Sequence, residues 1–166
     1  GLLFGAPALI PFITMRCYEQ IRVSLALLSE VRPMNVNLIG VGAGYSYVVS
    51  GPTHQCYEDI TIMRALPNFQ VLSPADHVTT SSLFEDCVTT NGLRYFRLDA
   101  QVQPVLYTLD LPSTTDGFHF HQKGEKVCFI ATGFMTHTAF KVAEEINKIG
   151  FKVGIIDIFN LTNFSK

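Results

Sequence analysis

Few residues in this chain have side chains suited to chemistry, and the foremost stands in Gly51-Pro52-Thr53-His54-Gln55. An imidazole, whose ordinary pKa lies near neutrality, can take up or return a proton at physiological pH. Gly51-Pro52 marks a turn, because proline lacks a backbone N–H and has a fixed φ. His54 is thereby held on a rigid turn ahead of a helix, and preformed loops are where function often sits. The same placement would serve a histidine that only caps local backbone, and both readings stand. His119-Phe120-His121 would put two imidazoles on one face of an extended segment, as two metal ligands are arranged. No third ligand lies nearby in the sequence, so an exposed loop is the expected reading. The cysteines, Cys17, Cys56, Cys87 and Cys128, show neither a Cys-x-x-Cys pair nor metal-ligand spacing. Gly40-Val41-Gly42-Ala43-Gly44 follows a strand pattern and invites a dinucleotide site. That reading fails on context, since Tyr45-Ser46-Tyr47 leads to the Gly51-Pro52 turn and no helix opens at Gly44. The glycines instead allow close backbone approach in an active-site loop.

The elements that must position these groups follow from periodicity. Residues 1–13 are apolar and broken by Gly5, Pro7 and Pro11, which predicts a buried turn-and-strand segment. Helical spacing predicts a helix from Thr14 to about Leu28, with Cys17, Ile21, Leu25 and Leu28 on one face. Asn35–Val41 alternates as a strand. A helix over Tyr57–Leu66 carries Glu58 and Asp59 in its first turn, where anions are favoured, and Pro67 ends it. Phe69–Leu72 is a short strand. Ser73 as N-cap, Pro74 at the first position and Asp76 as box partner then open a helix to about Thr89, stopped by Asn91-Gly92. Leu93–Leu98 reads as a strand, and Arg97 within it could form a surface ion pair with Asp99. Residues 100–125 carry Pro104, Pro112 and the Ser113–Gly117 run without helical period, which predicts a linker. Lys126–Ala131, a helix over Met135–Ile149 and Lys152–Phe159 then form a βαβ unit, so its strands are expected to be parallel. Met135, Ala139, Val142, Ala143, Ile146 and Ile149 make that helix's expected apolar face.

Composition narrows the class. With 48% hydrophobic and 16% charged residues, the 166-residue chain is of globular rather than disordered type. A net charge of −2 offers no basic footprint for nucleic acid or an anionic membrane. Scattered cysteines fit reduced thiols, Gly1–Ile13 has no signal-peptide pattern, and no apolar run reaches membrane-spanning length. A soluble, cytoplasmic protein is the expectation. Gly1-Leu2 opens on apolar residues without an initiator methionine, as expected of an internal segment of a longer polypeptide.

Several ordered blocks carry a family resemblance: Gly51-Pro52-Thr53-His54-Gln55, Glu58-Asp59, Met63-Arg64-Ala65-Leu66-Pro67-Asn68 and Ser73-Pro74-Ala75-Asp76. Together they resemble the pyrimidine-binding domain of transketolases, and the related deoxyxylulose phosphate synthases carry a similar run. Arg16-Cys17-Tyr18-Glu19-Gln20-Ile21-Arg22 is similar to the helix that follows the aromatic thiamin-contacting segment of that family. The likeness covers roughly residues 1–108, and from about Lys126 the chain resembles the start of the transketolase C-terminal domain.

The resemblance implies an α/β protein with the thiamin-diphosphate-binding fold, a parallel sheet flanked by helices, followed by the beginning of a C-terminal α/β domain. Its implied division is a pyrimidine-binding domain at 1–112, incomplete at its N-terminus, a linker at 113–124, and an incomplete C-terminal domain at 125–166. The implied activity is transfer of a two-carbon ketol unit between sugar phosphates through thiamin diphosphate, with Mg²⁺ holding the diphosphate. On the same grounds His54 matches a histidine that contacts substrate hydroxyls. Phe12, or Ile13 one residue on, matches an aromatic that stacks on the cofactor's pyrimidine; a plain core phenylalanine remains the other reading. Arg97 matches a strand-end arginine position, some of whose members bind sugar phosphate with the planar guanidinium fork. The Mg²⁺ ligands would come from a diphosphate-binding domain or subunit, making a homo- or hetero-oligomer. Two departures stand out. Gly42 occupies the place of a family histidine, and Val48-Val49-Ser50 replaces Gly-Glu-Asp. Ser50 can still hydrogen-bond to substrate but brings no charge, so an altered sugar is implied. The alternatives are a non-catalytic transketolase-like regulatory or binding subunit, and a relative of 2-oxo acid dehydrogenase β-subunits.

Overall fold

The computed structural model describes residues 4–108 and 113–163. Its chain divides into two compact units, one of Gly1–Leu72 and Leu83–Val102, the other of Ser73–Ser82 and Gln103–Lys166.

The first unit is built on a four-stranded sheet in the order β1-β2-β4-β3, parallel throughout. Its strands are β1 (Phe4–Leu9), β2 (Asn35–Val41), β3 (Phe69–Leu72) and β4 (Gly92–Leu98). Strands of a parallel sheet are covered on both faces and read as continuous buried runs. Leu93, Arg94, Tyr95 and Phe96 of β4 are accordingly all buried. The one charged side chain among them is satisfied by hydrogen bonding: Arg94 donates to Asn35 Oδ1 (3.0 Å), Thr90 O (3.0 Å) and Thr90 Oγ1 (2.6 Å). On the sheet, Phe84 stacks on Phe96 with ring centroids 4.1 Å apart.

Between β1 and β2 the chain departs from the expected helix over Thr14–Leu28. A short α1 (Ile10–Thr14) comes first, then one turn α2 (Tyr18–Gln20) that continues as a π-helix, Ile21–Leu27. The wider i→i+5 winding moves the buried positions from a spacing of four to one of five. Ile21 and Ala26 are buried, whereas Cys17 is exposed. The helix expected at Tyr57–Leu66 is shorter, α3 (Asp59–Arg64). Helix α4 runs His77–Thr89, starting three residues after the position expected from Pro74. Asp76, not Ser73, caps it, its Oδ1 accepting from the Thr79 N–H (2.8 Å) and Thr79 Oγ1 (2.9 Å).

The second unit carries a three-stranded sheet in the order β5-β7-β6. β6 (Val127–Ala131) and β7 (Val153–Ile158) are parallel across α5 (Phe134–Lys148), as the βαβ pattern requires. β5 (Phe118–Gln122) adds to β7 antiparallel, so His119 and His121 lie on a strand rather than in the exposed loop expected for them. Ala139 and Ala143 pack on Val153 and Ile155 to form this unit's core. The apolar face expected for α5 is only half realised, since Met135, Val142 and Ile149 are exposed while Thr136 and His137 are buried. Hydrogen bonds explain the rotation: Thr136 Oγ1 donates to Asp157 Oδ1 (2.9 Å), and His137 Nε2 donates to Ala75 O (2.8 Å). No helix among the described residues is long and apolar enough to cross a membrane.

Candidate active site

Three segments leave the first sheet at its carboxyl edge, where open parallel sheets bind ligands. β1 ends at Leu9 and leads through α1 to Phe12; β2 ends at Val41 and leads to the glycine loop; β4 ends at Leu98, next to Arg97. Leu9, Val41 and Leu98 lie side by side in the ladder, so these segments emerge together. The N–H groups of Gly42 and Ala43 both donate to Leu98 O, at 2.8 and 3.3 Å, which fixes the loop to the strand end.

The loop closes on itself through an isolated antiparallel pair, Gly44 N–H to Cys56 O at 2.8 Å and Cys56 N–H to Gly44 O at 3.0 Å. Cys56 is buried against Ile10 and Ala43 at this neck. Burial pushes its thiol above the ordinary range, which suits packing rather than nucleophilic attack. Beyond the neck, Gly51–Thr53 forms one 3₁₀ turn, with Gly51 at φ +68° and the His54 N–H donating to Gly51 O at 3.0 Å. The half-buried His54 ring meets the Phe12 ring at 5.2 Å between centroids (70°) and the Tyr47 ring at 6.4 Å (66°). Its Nδ1 lies 2.9 Å from Thr53 Oγ1. Phe12 in turn has the Arg16 guanidinium 4.4 Å from its centroid.

Sequence reasoning did not foresee Tyr47. Its ring lies on Gly42, so that a Cβ at position 42 would run into it, and Gly42 has φ +91°, which side chains rarely adopt. The missing side chain at 42 is therefore what admits the tyrosine. Tyr45 and Tyr57, one residue beyond each half of the neck, pair at 5.3 Å and stay exposed.

Arg97 has a partner that its neighbours in sequence do not reveal. Its Nε donates to Asp59 Oδ2 at 2.8 Å, and Tyr95 OH donates to the same oxygen at 2.8 Å. Asp59 stands in the first turn of its helix as expected and is 0% exposed, and its Oδ1 has no hydrogen-bond partner among the described residues. Burial first, and Asp59 second, push the Tyr95 phenol far up, so it remains a donor. Ser50 is exposed at the turn's entry, and its carbonyl accepts from Thr53 Oγ1 at 3.4 Å. Phe12 and His54 are thus in ring contact, with Ser50 joined to His54 through Thr53. Arg97 is anchored at the adjoining strand end by α3.

A second group of titratable side chains lies in the other unit. His121 sits 4.8 Å from His119 and 4.9 Å from Tyr107, ring to ring, and its Nε2 is buried without a hydrogen-bond partner among the described residues. Among those residues no group of three or more His, Cys, Asp or Glu side chains could hold a metal ion.

The fit to a stacked pyrimidine rests on Phe12. The exposed Arg16 guanidinium over that ring is the neighbour whose place a flat heteroaromatic could take.

Known proteins share this fold. Family models match the transketolase pyrimidine-binding domain over residues 10–104 and the transketolase C-terminal domain over residues 118–166. Transketolase-like protein 1 of Mus musculus is 29% identical over 153 residues, 88% of this chain and 24% of that protein. The 6-deoxy-6-sulfo-D-fructose transketolase subunit of Clostridium sp. (strain MSTE9) is 25% identical over 155 residues, 93% of this chain and 47% of its own length. A split-gene transketolase, solved as an inactive β4 tetramer, superposes with a TM-score of 0.80 at 27% identity, covering 94% of this chain and 49% of that one. Transketolase from Pichia stipitis in complex with sedoheptulose 7-phosphate shares the fold at a TM-score of 0.82 and 20% identity, over 98% of this chain and 24% of that one. The chain therefore spans between about a quarter and a half of the relatives it matches.

Proposed function

We propose, because this chain belongs to the transketolase family, that it supplies the pyrimidine-side half of a ketol-transfer site. Thiamin diphosphate, which a pyrimidine-binding domain of this family implies, supplies the carbanion chemistry when bound. The protein's own part is to bind, orient and move protons. Phe12 offers a ring to the pyrimidine. His54 exchanges a proton with a substrate hydroxyl. Ser50 hydrogen-bonds the sugar at the turn, and Arg97, held by Asp59 at its Nε, turns its remaining N–H groups to a phosphate. The diphosphate and Mg²⁺ would be held by a diphosphate-binding domain or subunit, which makes the working form an oligomer.

The observation that carries this reading is the His54 ring, set between Phe12 and Tyr47 at the carboxyl edge of a parallel sheet. A ketose-to-aldose transfer assay on the chain joined by a diphosphate-binding partner, with thiamin diphosphate and Mg²⁺, tests it. His54→Ala should lower turnover on the order of 100-fold or more while leaving cofactor affinity nearly unchanged. Wild-type turnover in that variant would remove His54 from the reaction.

The second reading is a non-catalytic subunit, and the Tyr47 ring over Gly42 favours it, because that ring fills space a substrate could use. In that case no transfer appears with any partner, while association with the partner survives.

A further inference from the structure

We propose that Thr53 is a positioning residue that holds His54 as the Nδ1–H tautomer, leaving Nε2 as the proton acceptor of the site. This deepens the proton-exchange role given to His54 above and rests on that reading for its consequence, though not for its test.

A threonine hydroxyl has one proton to donate and lone pairs with which to accept. Thr53 Oγ1 has two polar neighbours on the turn, Ser50 O at 3.4 Å and His54 Nδ1 at 2.9 Å. The carbonyl can only accept. A hydroxyl proton sent to Ser50 leaves Oγ1 free to accept, and the shorter contact then takes a proton from Nδ1–H. The run Nδ1–H to Oγ1, then Oγ1–H to Ser50 O, satisfies all three groups, and each bond polarises the next. The reverse assignment puts the hydroxyl proton on Nδ1, gives the carbonyl nothing from Thr53, and moves the ring proton to Nε2.

The backbone keeps the three groups in place. Ser50 immediately precedes the Gly51–Thr53 turn, and the His54 N–H closes that turn on Gly51 O at 3.0 Å. Phe12 and Tyr47 hold the ring from two directions. Among the described residues no hydrogen bond is made to Nε2. The two ring nitrogens are thereby given different tasks. A substrate hydroxyl would pass its proton to Nε2, the electron pair staying on that oxygen. The imidazolium so formed keeps Nδ1–H on Thr53, and the reverse transfer returns the proton. A hydroxyl group is thus the substrate function that this nitrogen reads.

The test is ¹⁵N-resolved NMR of the His54 ring in the 166-residue chain, at a pH high enough for the ring to be uncharged. Nδ1 should resonate as the protonated nitrogen and Nε2 as the unprotonated one. Thr53→Val keeps the shape and removes the hydroxyl, and should exchange the two signals, so that Nε2 becomes the mainly protonated nitrogen. Thr53→Ser keeps the hydroxyl and should restore the wild-type pattern. Thr53 is exposed, so its replacement leaves the fold intact, and an unchanged thermal midpoint verifies this. A wild-type ring protonated at Nε2, or an Nδ1–H ring that survives in Thr53→Val, overturns the assignment. The spectrum is read on this chain alone, so it decides the role of Thr53 whatever the transfer assay gives.

Discussion

Asp59 and Arg97 are 38 positions apart, yet Asp59 Oδ2 accepts from Arg97 Nε at 2.8 Å in the interior of the first unit. Tyr95 OH meets the same oxygen at 2.8 Å, so one carboxylate ties the start of α3 to the end of β4. Removing one partner of a buried pair strands the other, and costs about 3–5 kcal/mol. Asp59→Ala should therefore destabilise the chain by that amount in urea denaturation, whereas Tyr95→Phe should cost about 1–3 kcal/mol. A loss below about 1 kcal/mol in Asp59→Ala would show that the pair is not formed.

Gly42 and Tyr47 form a pair of another kind, one residue absent and the other filling the space. Gly42→Ala meets both the Tyr47 ring and a φ of +91°, and should cost about 1–3 kcal/mol. Tyr47→Ala removes the clash but not the backbone strain. The double variant should accordingly be less destabilised than the sum of the single ones, by about 0.5 kcal/mol or more. Strict additivity in a denaturation cycle would separate the two residues.

A buried carboxyl and a half-buried imidazole of the second unit give stability opposite dependences on pH. Asp157 is buried, and although Tyr107 and Thr136 donate to it, burial prevails and pushes its carboxyl up to about 6. A raised folded-state value means stability is fully present below the ordinary carboxylate pKa and lost as pH rises through about 6, by roughly 3 kcal/mol in all. Burial first, then His119, lower His121 to about 4, so its contribution is full above the ordinary imidazole pKa and is lost as pH falls through about 4. Between these values the two slopes oppose each other. Thermal melts from pH 4 to 7 should show His121→Phe gaining stability as the pH falls and Asp157→Asn losing it. Parallel slopes in the two variants would contradict this account.

The proposed division of the chain within 113–124 is open to limited proteolysis. Ser113, Thr115 and Asp116 are exposed, and exposed turns with small polar residues are cut first. Early cleavage by a protease of broad specificity should fall in Ser113–Gly117. First cuts between Gly40 and Gly51 would place the weak point in the glycine loop instead.

The sequence by itself determined the α/β class, the strand at Asn35–Val41 and the βαβ unit, because each rests on local periodicity. Turn chemistry was equally local: Gly51-Pro52 announced the turn that carries His54, and the ordered blocks around it announced the family. Local signals also misled, since Ser73 and Pro74 match a helix start in composition while the cap formed three residues on, at Asp76. The π-helical winding at Ile21–Leu27 lay beyond a reading that assumes one helical period. Only the tertiary structure decided the partners. Asp99 lay two residues from Arg97 in sequence, but the packing of α3 brought Asp59 to it. Tyr47 was one aromatic among several until the fold laid it on a glycine that has no side chain to repel it. Spacing along a chain dictates which groups share a turn or a face, whereas contacts between elements depend on how their faces pack, and that is settled only when all of them are in place.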